Sequence, residues 1–322
     1  MNLNLHILIE DLEEWQLRGE LPSDRLGLPL SYPFVLAELP SRAETGVLAV
    51  MCAEDLPVEV PGRRCQIVCL GEPPKAWLGV PGVLWTPRDA PITDLMNDIT
   101  RAFWRYSCWE RDVMRIAGEK LPLSEIGAVT QPLFKNSIGA LGASFRYLFI
   151  SYPEVDAPSE AYTRYRDVYS AEGSFMNDRD MVAMVNDAQY EDVLASDKPV
   201  RFESEGYGCT ALVQNVRVGE TVVAQVVTND LVAPLTARDE ALLHHLGGML
   251  SRLLAHNLVS EKLICRLLST YGWRMDDPYC ALVVEPGDAA GAHEAFDTLV
   301  MTRNAYPPLL LRLTRLRAKR LN

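Results

Sequence analysis

Residues 92–116, ITDLMNDITRAFWRYSCWERDVMRI, repeat apolar side chains at alternating steps of three and four. The positions are Ile92, Leu95, Ile99, Ala102, Tyr106, Trp109, Val113 and Ile116. Such spacing draws one stripe along a helix, and held over more than three heptads it is the pattern of an a/d seam. Asp89-Ala90-Pro91 reads as the helix start, with a capping acid and a proline in the first turn, and Gly118 as its stop. Two arrangements suit the stripe. One is a long helix packed on its own domain, with Met96 and Phe103 widening the apolar face. The other is a parallel dimer helix that connects two domains, from which a homodimer is expected.

Working outward from this helix, the N-terminal side reads as a small α/β layer. Residues 3–18 carry Leu5, Leu8, Leu12 and Trp15 at helical spacing. Four short apolar runs follow, Phe34–Leu39, Gly46–Cys52, Cys65–Leu70 and Val83–Trp85, each bounded by Pro, Gly or charged residues as buried strands are. On the C-terminal side, Leu121–Ser124 opens a helix through Ile126, Val129 and Leu133. Ala140–Ile150 alternates as one strand, and residues 151–200 are polar and mixed, with short helical patterns at Met181–Val185 and Tyr190–Leu194. Thr210–Val216 and Thr221–Val227 read as a hairpin about Val218-Gly219-Glu220. Thr236 and Asp239 form a capping-box-like start to a long helix reaching toward Leu268. Helices and a hairpin in this order suggest an antiparallel sheet with helices on one face. The class expected is α+β.

Composition bounds the function. The chain has 322 residues, for which about two domains is the prior. At 48% hydrophobic and 23% charged it is an ordinary globular sequence, not a disordered, collagen-like or disulfide-stapled one. The net charge is −12, and residues 1–308, with 26 basic against 43 acidic side chains, carry −17. Such a chain is a poor candidate for wrapping nucleic acid. The start, MNLNLHILIEDLEE, has no basic leader, and no run of 18 apolar residues spans a membrane. Seven scattered cysteines read as reduced thiols, so a cytoplasmic setting is expected. Cys65 and Cys69 have no nearby partners to complete a zinc site, and neither metal nor cofactor is implied.

Four passages together resemble the PucR/CdaR-like bacterial transcription regulators. LMNDITRAFWRYSCWERDVMRIA with LPLSEIGAV is the first, and ALGASFRYLFISYPE, where the family's GAF/PAS-like sensor opens, is the second. CTALVQNVRVGETVVAQVVTND with LTARDEALLHHLGGMLSRLLAHN is similar to the closing hairpin and helix of that sensor. LLSTYGWRMDDPYCALVVEP is similar to the start of the family's degenerate GGDEF-like domain. The resemblance implies an N-terminal α/β regulatory domain over 1–88, a connector and dimerisation helix over 89–119, and a GAF/PAS-like sensor over 120–262. An incomplete GGDEF-like start over 263–305 and a basic Leu/Arg tail over 306–322 follow. The family's C-terminal helix-turn-helix is not found, and the tail is consistent with a truncated or frame-shifted end. The expectation is a sensory and dimerisation chain that responds to a small-molecule effector and does not itself read DNA specifically.

No P-loop, G-x-S-x-G, H-E-x-x-H or kinase signature is present, and no GGDEF motif, so a non-catalytic chain is expected. The alternative is an enzyme with a site inside 120–262. His244 and His245 are adjacent on a helix, point about 100° apart, and read as solvent-facing positions, not joint metal ligands. Asp276-Asp277 reads as a strand-entry turn. Tyr147, Tyr162, Tyr165 and Tyr207, with Tyr169, Phe175, Arg164 and Arg166, are the candidate ligand residues. Aromatic faces beside guanidinium groups suit a small planar or anionic molecule; ordinary packing is the other explanation.

Overall fold

The structure is a computed structural model that describes residues 3–24, 26, 30, 32–35, 46–60, 66–119, 121–143, 145–169, 175–176, 181–182, 184, 188–204 and 208–257. Expectations for 263–305 and 306–322, including Asp276-Asp277, lie outside these residues. The fold is α+β, with two five-stranded sheets among the described residues.

The first sheet has the order β1-β5-β4-β3-β2, from β1 (Arg18–Glu20), β2 (Tyr32–Val35), β3 (Val47–Cys52), β4 (Gln66–Leu70) and β5 (Val83–Thr86). β2 to β5 run parallel, and β1 joins β5 antiparallel. The run VLAVMC, and QIVCL after its first residue Gln66, are apolar without interruption because both faces are covered. Leu48, Val50, Val68 and Leu84 face the helical side. Ala49, Met51, Ile67, Cys69 and Val83 meet Leu56 and Trp77 from the crossovers. Each of these two crossovers carries a 3-10 turn, Ala53–Asp55 or Lys75–Trp77, and the Trp77 indole donates to the Pro57 carbonyl at 2.7 Å. The N-terminal helix α1 is only Leu5–Asp11, followed by a 3-10 turn at Glu13–Trp15. β1 overlaps the stretch expected as helix only at its last residue, Arg18, and otherwise follows it. Its Gly19, at φ 128°, crosses Leu84 so closely that a Cβ would sit 2.2 Å from the Val83 carbonyl oxygen.

Helix α2 spans Ile92–Gly118, 27 residues and about 40 Å. Its start differs from the expected one: Pro91 holds the cap position without a side-chain hydrogen bond, so Asp89 does not cap it. Gly118 remains helical, and the end is closed by the Glu119 amide on Arg115 and the Leu121 amide on Ile116. The stripe is turned inward. Leu95, Ile99, Ala102, Tyr106, Trp109, Val113 and Ile116 are buried in the chain's own core, and Ile92 packs against it half-buried. Of the two readings of the seam, the structure takes the first. The dimer seam is corrected, and the homodimer expected from it loses its basis, because the surface it needs is already covered.

The second sheet has the order β7-β6-β10-β9-β8 and is antiparallel throughout. Its strands are β6 (Ile138–Gly142), β7 (Tyr147–Ser151), β8 (Val200–Ser204), β9 (Cys209–Val218) and β10 (Thr221–Asn229). The single strand read over Ala140–Ile150 is a tight hairpin with Phe145 at φ 57° in its turn. The helices are α3 (Ser124–Thr130), α4 (Glu160–Val168), α5 (Ala188–Ala195) and α6 (Ala237–Asn257). The expected capping box of α6 forms: the Thr236 amide donates to Asp239 Oδ2 at 2.9 Å, and the Asp239 amide to Thr236 Oγ1 at 3.4 Å.

α2 packs on β2 and β3, α3 on β6 and β7, and α6 on β9 and β10; α1 and α2 both pack on α6. One core therefore runs from Val50 and Val68 through Ile99 and Leu246 to Leu212 and Val226. A buried polar group crosses it. Arg238 Nη2 of α6 lies 3.4 Å from Asp11 Oδ1 of α1 and donates to the Tyr106 hydroxyl of α2 at 3.1 Å. Arg105 Nη2 reaches the other Asp11 oxygen at 3.4 Å. Burial works against the guanidinium charge, but the Tyr106 hydroxyl and Asp11 outweigh it and raise the Arg238 pKa. Burial likewise pushes the Tyr106 hydroxyl up, so it stays a neutral acceptor.

Two outcomes follow. Ile99→Asp places a charge in the closed core and lowers unfolding free energy by on the order of 4 kcal/mol, read as a fall in urea midpoint. A variant that stays as stable as wild type would contradict the inward seam. Arg238→Met takes from the buried Asp11 carboxylate its buried partner, leaves it the half-exposed Arg105, and costs about 3 kcal/mol, whereas the double change with Asp11→Leu recovers part of that loss; no recovery would show that the pair is not what holds the junction.

Candidate functional site

The connection from β7 to β8 covers the sheet face opposite α3 and α6. Strand alternation divides the two faces: Leu212 and Val226 join the helix-side core, while Val213 and Val227 join the outer layer. The Ser159 hydroxyl starts α4 by accepting the Tyr162 amide at 3.1 Å. Tyr162 and Tyr165 lie one helical step apart, and α4 turns both inward with Tyr169 beyond them.

The rings make a continuous layer. Tyr147 and Tyr169 stand 5.0 Å apart between centroids, Tyr165 and Tyr169 5.2 Å, and Tyr152 lies edge-on to Tyr162 at 6.2 Å and to Tyr165 at 6.3 Å. Tilted and edge arrangements suit the ring quadrupoles and add about 1 kcal/mol per pair beyond burial. The hydroxyls are placed too. Tyr147 and Tyr165 share a hydrogen bond at 3.2 Å, Tyr162 donates to the Pro153 carbonyl at 2.8 Å, and Tyr152 donates to the Tyr169 carbonyl at 3.1 Å. Burial pushes the Tyr147 hydroxyl well up, with Tyr165 adding to it, and burial raises Tyr162 against the pull of Arg166. Both hydroxyls therefore stay protonated at neutral pH.

The structure thus brings Tyr147, Tyr162 and Tyr165 together. Arg164 is exposed on α4, and Tyr207 lies outside the described residues. Arg166 sits 5.9 Å over the Tyr162 ring, and Arg146 5.6 Å over the exposed Phe175. Sequence reasoning missed a row of uncharged polar groups beside the rings. The Tyr190 hydroxyl donates to Gln225 Oε1 at 3.3 Å, and Gln225 Nε2 donates to Asn215 Oδ1 at 3.0 Å. Asn215 Nδ2 in turn donates to the Val193 carbonyl at 2.6 Å and the Ser196 carbonyl at 2.9 Å. The signal was present: Asn215 and Gln225 are amides at outer-face positions of otherwise apolar strands.

Little here suits nucleophilic or metal chemistry. Burial pushes the Cys69 and Cys209 thiols up to about 12, so neither is a thiolate at neutral pH. Among the described residues no group of three His, Cys, Asp or Glu stands close enough to hold a metal ion, and no helix is long and apolar enough to cross a membrane. The two histidines of α6 correct the expectation of solvent-facing positions. His244 Nδ1 lies 3.1 Å from Gln214 Oε1, while the His245 ring lies 5.8 Å from Trp109 and its Nε2 3.5 Å from Glu110. Trp109 is fixed by its own bond to the Thr130 hydroxyl at 3.0 Å.

Burial lowers both imidazole pKa values; Lys198 also lowers that of His244 while Asp24 opposes, and Glu110 opposes the fall at His245 while Arg252 adds to it. The folded chain therefore binds fewer protons than the unfolded one just below the ordinary histidine value of about 6.5. Stability present above that value is lost on acidification. The melting temperature should fall between about pH 7.5 and 5.5, with a shallower slope in the His244→Gln, His245→Gln double variant. An identical slope in that variant would assign the acid sensitivity to other groups.

No family model matches the chain, and no curated protein matches it in sequence. Among solved structures, the phycocyanobilin-bound GAF domain of a cyanobacterial phytochrome is similar over 48% of this chain and 97% of that one, at 11% identity and a TM-score of 0.34. The GAF domain of an Acinetobacter phosphoenolpyruvate-protein phosphotransferase covers 48% of this chain and 95% of its own, at 14% identity and a TM-score of 0.31. At these scores the likeness assigns neither family nor ligand to this chain.

Proposed function

We propose that this chain is the sensory part of a PucR/CdaR-like transcription regulator, working in the cytoplasm without catalysis of its own. In this reading residues 120–262 are a GAF/PAS-like sensor that holds a small planar or anionic effector. Residues 1–88 are the regulatory domain, and 89–119 connect the two. The chain itself does not read DNA specifically. One observation carries the reading: the outer face of an antiparallel sheet is covered by a tyrosine layer bordered by a hydrogen-bonded row of uncharged amides. Apolar, aromatic walls with a few placed polar groups are the ordinary make-up of small-molecule sites. Arg146 and Arg166 at the margin of the layer supply positive charge for an anionic edge. The helix side of the same sheet is closed by α3 and α6, and the reading puts the effector on the outer face, against the layer that covers it.

The test is thermal denaturation of the purified chain against a panel of planar aromatic carboxylates and neutral heterocycles. A ligand at 100 times its dissociation constant adds about 2.7 kcal/mol to stability. At least one class should raise the melting temperature in wild type and lose that effect in Tyr165→Leu, whose far-ultraviolet circular dichroism remains native. A panel without effect on wild type, or an equal rise in the variant, would remove the tyrosine layer as the site.

A further inference from the structure

Residues 214 to 217 of β9 hold elements on both faces of the sheet. On the outer face, Asn215 Nδ2 donates to the Val193 and Ser196 carbonyls, and Arg217 Nη2 donates to the Leu194 carbonyl. These carbonyls belong to the last turn of α5 and the loop after it, where a helix has no donors of its own. Arg217 Nε adds an ion pair to Asp197 at 3.0 Å. The side chains of β9 thus stand in for the missing turn of α5.

The adjacent residue faces the other way. Gln214 Nε2 donates to the Asp197 carbonyl at 3.3 Å and the Asn215 carbonyl at 2.9 Å, which leaves Oε1 to accept from His244 Nδ1 of α6 at 3.1 Å. α6 approaches closely at this residue: a Cβ on Gly247 would sit 2.5 Å from Gln214 Cγ. One turn later, the Arg217 amide donates to Ser251 Oγ at 3.0 Å, and the Ser251 hydroxyl donates to the Gly247 carbonyl at 2.8 Å. Gln214 is the pivot: its one amide group bonds both the α5 loop and α6.

We propose that Gln214, Asn215 and Arg217 form a relay that makes the positions of α5 and α6 depend on each other through β9. The physical basis is the cost of unpaired buried groups. If α5 shifts, the Asp197 carbonyl leaves Gln214, whose Nε2 keeps only the Asn215 carbonyl, and the buried amide has one N–H left to pair, by following α5 or by turning about Cγ–Cδ. Turning it withdraws Oε1 from His244 of α6. α6 then shifts with α5, or neither moves. Packed contacts of this kind have discrete arrangements, not a continuous range. The coupling stands whatever binds the outer face. Its use in signalling rests on the sensory reading above, since α5 borders the proposed effector face through Tyr190 and Val193.

Amide hydrogen exchange of the full chain tests it without any ligand. Asn215→Ala removes bonds made only to the α5 side and to Gln225. It should speed exchange in α5 and also, by about fivefold or more, at His244–Ser251 of α6. Coupling is reciprocal, so Ser251→Ala, which alters only the α6 side, should speed exchange over Ala188–Ala195. Val47–Cys52 and Gln66–Leu70 of the first sheet should keep their protection in both variants. Should Asn215→Ala lose that protection through general unfolding, the milder Ser251→Ala decides alone. Exchange changes confined to the mutated side would overturn the relay. A silent ligand panel beside a positive exchange result would remove the sensory reading and leave the relay standing.

Discussion

Everything in the described fold depends on one apolar stripe, that of α2, being shared between two sheets of different kinds. The parallel sheet cannot shed its helical face into water, because its strands are apolar on both sides. The antiparallel sheet has the same need on the face that carries Leu212, Val216 and Val226. Ile99, Tyr106 and Val113 sit in the core between them, and α1 and α6 close it from the sides. A stripe used in this way is not left for a partner; the large apolar side chains that α2 does expose, Trp104 and Met114, lie outside it. The large rings at Tyr106 and Trp109 then make sense: they fill a wide core, where a thin two-stranded seam would have no room for them. Each also has a polar atom with a defined partner, Arg238 for Tyr106 and Thr130 for Trp109.

That stripe was legible because a three-four repeat needs no tertiary information. What the repeat could not tell was whose surface it faced, since an intramolecular core and a dimer present the same pattern to one helix. The β3 and β4 runs and the β9–β10 hairpin were legible for the same reason, and Gly219 at φ 59° marks the hairpin turn. β1 was not. Its three residues, Arg18-Gly19-Glu20, follow the helical pattern with no alternation of their own, and the antiparallel pairing with β5, with Gly19 crossing Leu84, makes a strand of them. The hairpin at 142–146 was hidden by alternation that continues across the turn, so that two strands read as one.

The site was legible in part, and the division follows chemistry. Aromatic residues on and just after α4 announce themselves by spacing; Tyr165 and Tyr169 pack together, and Tyr162 reaches Tyr165 through Tyr152. Tyr147 joins them through a hydroxyl pairing with Tyr165 that no local pattern contains. The amides Asn215 and Gln225 were visible as polar interruptions in apolar strands, yet their meaning depends on α5 ending beside them. The histidine pair shows the limit from the other side. Adjacent residues on a helix point apart, and they do face different elements, but the elements they face are buried ones that the sequence places far away: Gln214 of β9 and Glu110 of α2.

Period-two geometry gives β9 its particular position in the molecule. A strand in the middle of an antiparallel sheet presents alternate residues to two environments at once, so a polar pair at consecutive positions serves both. Most such strands put polar atoms on the wetter face and apolar ones inside. β9 keeps buried amides on both faces, Asn215 outward under α5 and Gln214 inward under α6. A buried amide without partners costs about 1–3 kcal/mol, so each must be fully bonded in the folded state. Packing alone would be better served by Leu or Val at both positions. The polar choice fixes the register of α5 and α6 against the sheet by direction as well as by volume. It also concentrates that register in a few hydrogen bonds, which a modest movement of the covering layer can rearrange while the apolar core around Ile99 stays closed.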